Sequence, residues 1–303
     1  MRRRHSRTFL TGAAALVTIT TLTVGVASAA TNPVDPETMA LQPSDFVSSA
    51  VQTQGYLRGS LPTYQRSFKL AFVNNRTPLL YVFSSVTVAP DAGTAALSYQ
   101  DALRTFESPR AAKLLAADIA AGAHTKHVSV RLGRGRALGE GNNSVFLPTL
   151  VTVRVKGHKI RFAVDIALVR QDLAIGAILT LSLPKTRVVG AIRQLTGDVV
   201  AHMRVGLTPH DTTVPSIGGG LTEGSTLTIA TGNWTPSPTG YGYQWYRCDS
   251  SGNNCLPVAG ATAETYTTSA ADLGSTLKAT VSATDLDGTS AAVSTGLTGA
   301  IVS

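Results

Sequence analysis

Residues 144–183 read SVFLPTLVTVRVKGHKIRFAVDIALVRQDLAIGAILTLSL. The stretch holds three runs rich in Val, Ile, Leu and Thr, Ser144–Lys156, Lys159–Val169 and Leu173–Leu183, and Gly157-His158 supplies a short hairpin turn between the first two. Successive strands joined by tight turns form an antiparallel meander, so this stretch places a sheet at the centre of its domain.

Working upstream, His127–Leu132 reads as a further strand. Residues 94–121 turn helical: Ala95, Ala96, Leu97, Ala102, Leu103 and Phe106 recur at helical spacing, Pro109 breaks the run, and Leu114, Leu115 and Ile119 resume it before Gly122. Earlier still, Tyr64–Val73 and Pro78–Val88 read as a strand pair around NNRT. Phe68, Leu70 and Phe72 alternate with Lys69 and Ala71, which gives one buried face. Downstream, Lys185–Arg204 returns to helical spacing through Val188, Val189, Ile192, Leu195 and Val199. Strands and helices in separate blocks predict an α+β domain, an antiparallel sheet with helices packed on one face.

The chain of 303 residues opens with Arg2, Arg3, Arg4 and Arg7, an apolar run from Phe9 to Val26, and Ala27-Ser28-Ala29. That order predicts a secretory signal peptide over 1–30, cut after Ala29 or Ala30; an uncleaved anchor is the alternative. No second apolar run is long enough to span a membrane. Much of the net charge of +8 belongs to the signal. Residues 31–213 carry 20 basic and 12 acidic side chains, whereas 214–303 carry 2 and 6. This break in charge coincides with LTPHDTTVPSIGGG, turn-rich material that predicts a linker over 208–215 between domains at 31–207 and 216–303.

Beyond Pro215, short alternating strands recur between Gly, Pro, Asn and Asp turns, the habit of a β-sandwich. Leu227 and Ile229, Tyr243 and Trp245, and Leu277, Ala279, Val281 and Ala283 each give one inward face. Gly232-Asn233-Trp234, Tyr243-Gln244-Trp245-Tyr246-Arg247-Cys248, Cys255, Thr265-Tyr266 and Ala271-Asp272-Leu273-Gly274 resemble the immunoglobulin-like repeats of secreted Gram-positive (actinobacterial) proteins. The resemblance implies a buried Trp245. Cys248 and Cys255 lie seven apart, so an inter-sheet bridge is excluded, and in an exported protein a hairpin disulfide between them is expected. The N-terminal order of strand pair, helices, meander and terminal helix, after LQPSDF, resembles the Mog1/PsbP-like extracellular domains of actinobacteria.

Little in the chain suggests catalysis. GxSxG and Cys-His arrangements are missing, paired carboxylates are poorly supplied, and His124, His127, His158, His202 and His210 are too scattered to define a metal site, even with an acid such as Asp165. No cofactor is expected. The Gly133–Gly141 loop with Arg134 and Arg136 could cradle an anion, and Arg131, Arg134, Arg136, Arg154, Lys156, Lys159 and Arg161 cluster in sequence. Arg134, Arg136, Lys156, Lys159 and Arg161 are the anion-binding candidates, with an anionic cell-wall polymer, lipid head group or polysaccharide as partner. Nucleic acid is not expected, because no aromatic residues interleave with these bases. These expectations describe a secreted, non-enzymatic binding or envelope-associated protein, in which the α+β domain binds and the immunoglobulin-like domain is a spacer or adhesive module. The alternative is a secreted hydrolase with an unrecognised site in the α+β domain.

Overall fold

The computed structural model describes residues 34–46, 51–58, 62–72, 78–122, 124–184 and 188–303. The signal segment over 1–30 lies outside them, as does the expected NNRT turn. The chain divides into two compact units between Gly206 and Leu207.

In the first unit, nine strands form one sheet: β1 (Val51–Arg58), β2 (Thr63–Phe72), β3 (Pro78–Val88), β4 (Val128–Leu132), β5 (Arg136–Ala137), β6 (Asn143–Leu147), β7 (Thr149–Val155), β8 (His158–Gln171) and β9 (Ala174–Ser182). The sheet runs β1-β2-β3-β9-β8-β6-β5, with β7 and then β4 beside the N-terminal half of β8. Every pairing is antiparallel. The strand expected over Ser144–Lys156 is two strands, because Pro148 has no N–H to continue the ladder. Both halves keep one register on β8, Leu147 opposite Ile166 and Leu150 opposite Ala163. At the break, the Thr149 N–H donates instead to Asp165 Oδ1 at 3.0 Å. The hairpin turn falls on Lys156-Gly157, one residue earlier than expected, with φ of 49° and 80°, the left-handed pair of a type I′ turn.

The helices are α1 (Pro36–Met39), α2 (Ala92–Glu107), α3 (Pro109–Gly122) and α4 (Val189–Leu207). Ser108 separates the middle two, and its hydroxyl accepts from the Ala111 N–H. These helices do not share one face of the sheet, which corrects that part of the expected fold. Tyr99 and Ala102 of α2 and Ile119 of α3 pack with Leu147, Val151, Val153, Val164, Ile166, Leu168, Leu179 and Leu181. Helix α4 lies on the opposite face, where a Cβ added to Gly176 of β9 would sit 2.8 Å from Met203 Cε and 3.2 Å from Val199 Cγ1. The N-terminal lead joins α4 there. Met39 packs against Gly206, the Leu41 N–H donates to Ser84 Oγ, and buried Arg66 donates to Leu41 O, Gln42 Oε1 and Glu37 Oε1. The physical reason is visible in β9, where Ala174, Ile178, Leu179 and Leu181 are all buried; a strand apolar on both sides needs cover on both faces.

The second unit is all-β apart from a 3-10 turn at Ala270–Asp272. It holds β10 (His210–Thr213), β11 (Ser216–Gly219), β12 (Thr226–Ala230), β13 (Asn233–Thr235), β14 (Gly240–Cys248), β15 (Leu256–Pro257), β16 (Thr265–Thr267), β17 (Thr276–Thr284) and β18 (Val293–Ser294). One sheet runs β11-β12-β16 and another β15-β14-β17-β18, and both contribute to one apolar cluster: Leu227 and Ile229 from the first, Trp245, Leu277, Ala279, Val281 and Ala283 from the second. The alternation expected for these strands is the one observed. The segment expected as linker contains β10, which pairs with β13 and so belongs to this unit. Its turn residues describe the ends of a short strand, and Pro215 between β10 and β11 is buried.

Candidate functional site

The end of the first sheet formed by β4, β7 and the start of β8 has two unlike faces. Alternation sends Val128, Val130, Val151, Val153 and Phe162 into the cluster under α2 and α3. The intervening residues point the other way. Register lines them up in rows: His127, Arg154 and Lys159; Ser129, Thr152 and Arg161; Arg131, Leu150 and Ala163. Arg131, Arg154, Lys159 and Arg161 are exposed, and among the described residues their side chains make no ion pair or hydrogen bond. Residues 126–136 and 149–163 together carry eight Lys and Arg and no Asp or Glu. The next acid along this face of β8, Asp165, is buried and bonded to the Thr149 N–H. Burial, partly opposed by that hydrogen bond, pushes its carboxyl up to about 6.

The sequence candidates are therefore brought together only in part. Lys159 and Arg161 lie on this face, and Lys156 occupies the hairpin turn beside it. Arg136 stands opposite Phe146, which itself pairs with Ala167, eight positions along β8 from Lys159, or about 26 Å at strand rise. Arg136 is thus no part of the hairpin's cluster, and Arg134 precedes it in the connection from β4. Nor does the glycine-rich loop offer a row of open amides. The Gly133, Leu138 and Glu140 N–H groups donate to Pro148 O, Ser144 O and Ser144 Oγ, and Glu107 Oε1 lies 2.7 Å from where a Cβ on Gly135 would stand. Arg131 and Arg154, part of the cluster seen in sequence, lie on this face instead, where strand alternation and the hairpin register place them.

A second cluster joins the lead to α4. His202 Nε2 lies 3.5 Å from Asp45 Oδ1, while Asp45 Oδ2 accepts from the Gln42 N–H at 2.7 Å. Asp198 stands one turn before His202, and burial, then the Asp45 charge, push its carboxyl up to about 6 against the opposing pull of His202. Among the described residues Asp198 Oδ2 and His202 Nδ1 are buried without a hydrogen-bond partner. Among the described residues no hydroxyl or thiol hydrogen-bonds to the His202 ring, so the ring is not paired with a nucleophile there. In sequence, His202 stands among scattered histidines, and nothing local ties it to Asp45. Among the described residues no group of three His, Cys, Asp or Glu side chains is placed to hold a metal ion.

In the second unit, Cys248 and Cys255 are joined as a disulfide across the β14–β15 hairpin, directly opposite in the register that pairs Tyr246 with Pro257. Asp249 organises the intervening turn by accepting from the Ser251 and Asn253 N–H groups and from Asn254 Nδ2.

No family model and no curated protein matches the chain. Among solved structures, a beta-1,2-glucanase from Parabacteroides distasonis aligns at 12% identity over 83% of this chain, with a TM-score of 0.20. The chain spans 36% of that protein's length. Among the described residues no helix is long and apolar enough to cross a membrane.

Proposed function

We propose that the protein is a secreted, non-enzymatic binding protein of a Gram-positive cell envelope. Its α+β unit is the ligand-binding module, and its C-terminal unit is an immunoglobulin-like β-sandwich that serves as spacer or adhesive module. The observation that carries this reading is the exposed basic face of β4, β7 and the start of β8, with no acidic side chain in residues 126–136 and 149–163. A cationic field of this kind raises the local concentration of anionic partners. Support for the second unit comes from Trp245 between two sheets and from the Tyr266 and Arg247 bonds to Asp272 at the turn before β17. The order of strand pair, helices, meander and terminal helix supports a Mog1/PsbP-like reading of the first.

The test is co-sedimentation of the purified, signal-free protein with Gram-positive cell walls, together with N-terminal sequencing of secreted material. Retention on walls at low salt, and a mature chain starting after Ala29 or Ala30, are expected. No retention at any salt concentration removes the envelope reading, and an intact Arg2 end in the membrane fraction replaces cleavage with an anchor.

A further inference from the structure

Resting on that reading, we propose that the basic face takes a linear polymer carrying a phosphodiester in each repeat unit, laid across β8, β7 and β4. Three properties of the face point there.

The first is its extent. Three rows of same-face residues cover about 13 Å along the strands, and three strands add about 10 Å across them. One small anion held beside Lys159 would leave Arg131 beyond the screening distance of about 8 Å at physiological salt. Anions repeated along one chain can answer all four cations at once and gain from being tethered to one another.

The second is the chemistry of the middle row. The hydroxyls of Ser129 and Thr152 share that row with Arg161, and Arg154 and Arg131 flank it in the rows on either side. A carboxylate presents the lone pairs of its two oxygens in one plane, which a single guanidinium fork occupies. The two non-bridging oxygens of a phosphodiester carry lone pairs splayed out of any one plane, so a guanidinium fork can bind them while hydroxyl donors approach from another side, and Arg is suited to phosphate.

The third is rigidity combined with low apolar content. The reverse of these strands is packed by Val128, Val130, Val151, Val153 and Phe162, so the cations stand on a fixed platform. Leu150 is the one large apolar side chain in the rows, at 36% exposure. Insertion among acyl chains needs a continuous apolar face, which these rows lack, so a bilayer would offer them charge attraction alone.

The experiment titrates the full signal-free chain with poly(glycerol phosphate), with poly-glutamate, with inorganic phosphate and with phosphatidylglycerol vesicles, over a salt series. It compares R154S/K159S/R161S with the charge-matched control R104S/R110S/K113S on α2 and α3, after circular dichroism shows both folded. Poly(glycerol phosphate) should bind the parent most tightly. The face variant should lose on the order of tenfold or more at low salt, and its salt slope should flatten by about 2, at about 0.7 per cation removed from a flexible polyanion. The control should stay close to the parent. Equal loss in both variants, or binding of poly-glutamate or vesicles as tight as that of the phosphate polymer, overturns the proposal. If walls retain the parent but poly(glycerol phosphate) does not bind, this inference fails and the envelope reading stands; if neither binds, both fail.

Discussion

Arg154 stands directly opposite Lys159 across the β7–β8 hairpin, two positive side chains on one face of one antiparallel pair. Such like-charge pairs disfavour the fold, so Arg154→Glu, which turns the pair into an opposite-charge one, should stabilise the first unit by about 0.2–1 kcal/mol. The same change should weaken retention on cell walls. Urea titration followed by the helical circular dichroism signal checks the first effect and co-sedimentation the second. A variant both more stable and less retentive shows that the cations are kept for binding rather than for folding.

Asp165 gives a second test, because its carboxyl is buried opposite the Pro148 break. Its folded pKa of about 6 lies above the ordinary value, so stability falls as pH rises from about 4 to about 6 and the charged form is what the fold must tolerate at neutrality. Asp165→Asn keeps an oxygen for the Thr149 N–H and removes the charge. It should stabilise the first unit at about pH 8 by up to about 3 kcal/mol, with a much smaller gain at about pH 4.5. Destabilisation at both pH values would mean that the ionised carboxylate is the form the ladder break requires.

Much of this architecture can be read from residues one strand or one turn apart. Leu277, Ala279, Val281 and Ala283 are buried as their alternation predicts, and Trp245 is fully covered. What escaped that reading depends on long-range pairing. The run VQTQGYLR has a glycine and two glutamines, a weak strand signal by itself, yet it becomes edge strand β1 because β2 offers it a partner. Periodicity in Val189–Leu207 shows that α4 has an apolar side but not which face of the sheet it meets; the two-sided apolar run in β9 carried that information. Within the candidate site, alternation separates Arg131 and Arg154 from their neighbours, whereas Asp45 meets His202 only through the folding of the lead over the sheet.

Trp245 is the largest fully buried side chain of the second unit, and its Nε1–H donates to Ala263 O at 2.9 Å. Trp245→Ala removes the ring from between two sheets and leaves that carbonyl without its donor. The cost should be about 3–5 kcal/mol, measured by denaturant titration. A cost below about 1 kcal/mol would place the ring outside the core.

The Cys248–Cys255 bridge closes a short loop whose turn is already organised by Asp249. Chain-entropy arguments give such a closure about 2–3 kcal/mol. Cys248→Ser/Cys255→Ser should therefore lower the midpoint of the second unit while leaving its tryptophan emission native. Thiol labelling of the denatured, unreduced parent should find no free sulfhydryl.

The two units should respond to acid in opposite directions. In the second, burial works to raise the Asp272 carboxyl, but the Ser269 N–H, the Arg247 guanidinium and the Ser269 and Tyr266 hydroxyls outweigh it and hold the group below the usual carboxylate range. A depressed folded pKa contributes stability that is present above the unfolded value of about 3.8 and is lost as pH falls through the folded one. In the first unit Asp165 and Asp198 are raised to about 6, so their contribution runs the other way, with stability falling as pH rises between about 4 and 6. The chain separates the signals by itself: both of its tryptophans, Trp234 and Trp245, lie in the second unit, while α2, α3 and nearly all of α4 lie in the first. Urea midpoints from tryptophan fluorescence should fall below about pH 4, and Asp272→Asn should remove much of that dependence at a cost to stability at neutral pH. Midpoints from the helical signal should rise on acidification from about pH 7 to about pH 5, and Asp165→Asn with Asp198→Asn should flatten that rise. Parallel movement of both midpoints in the parent would show that Asp165 and Asp198 on one side and Asp272 on the other do not set the pH responses of the two units.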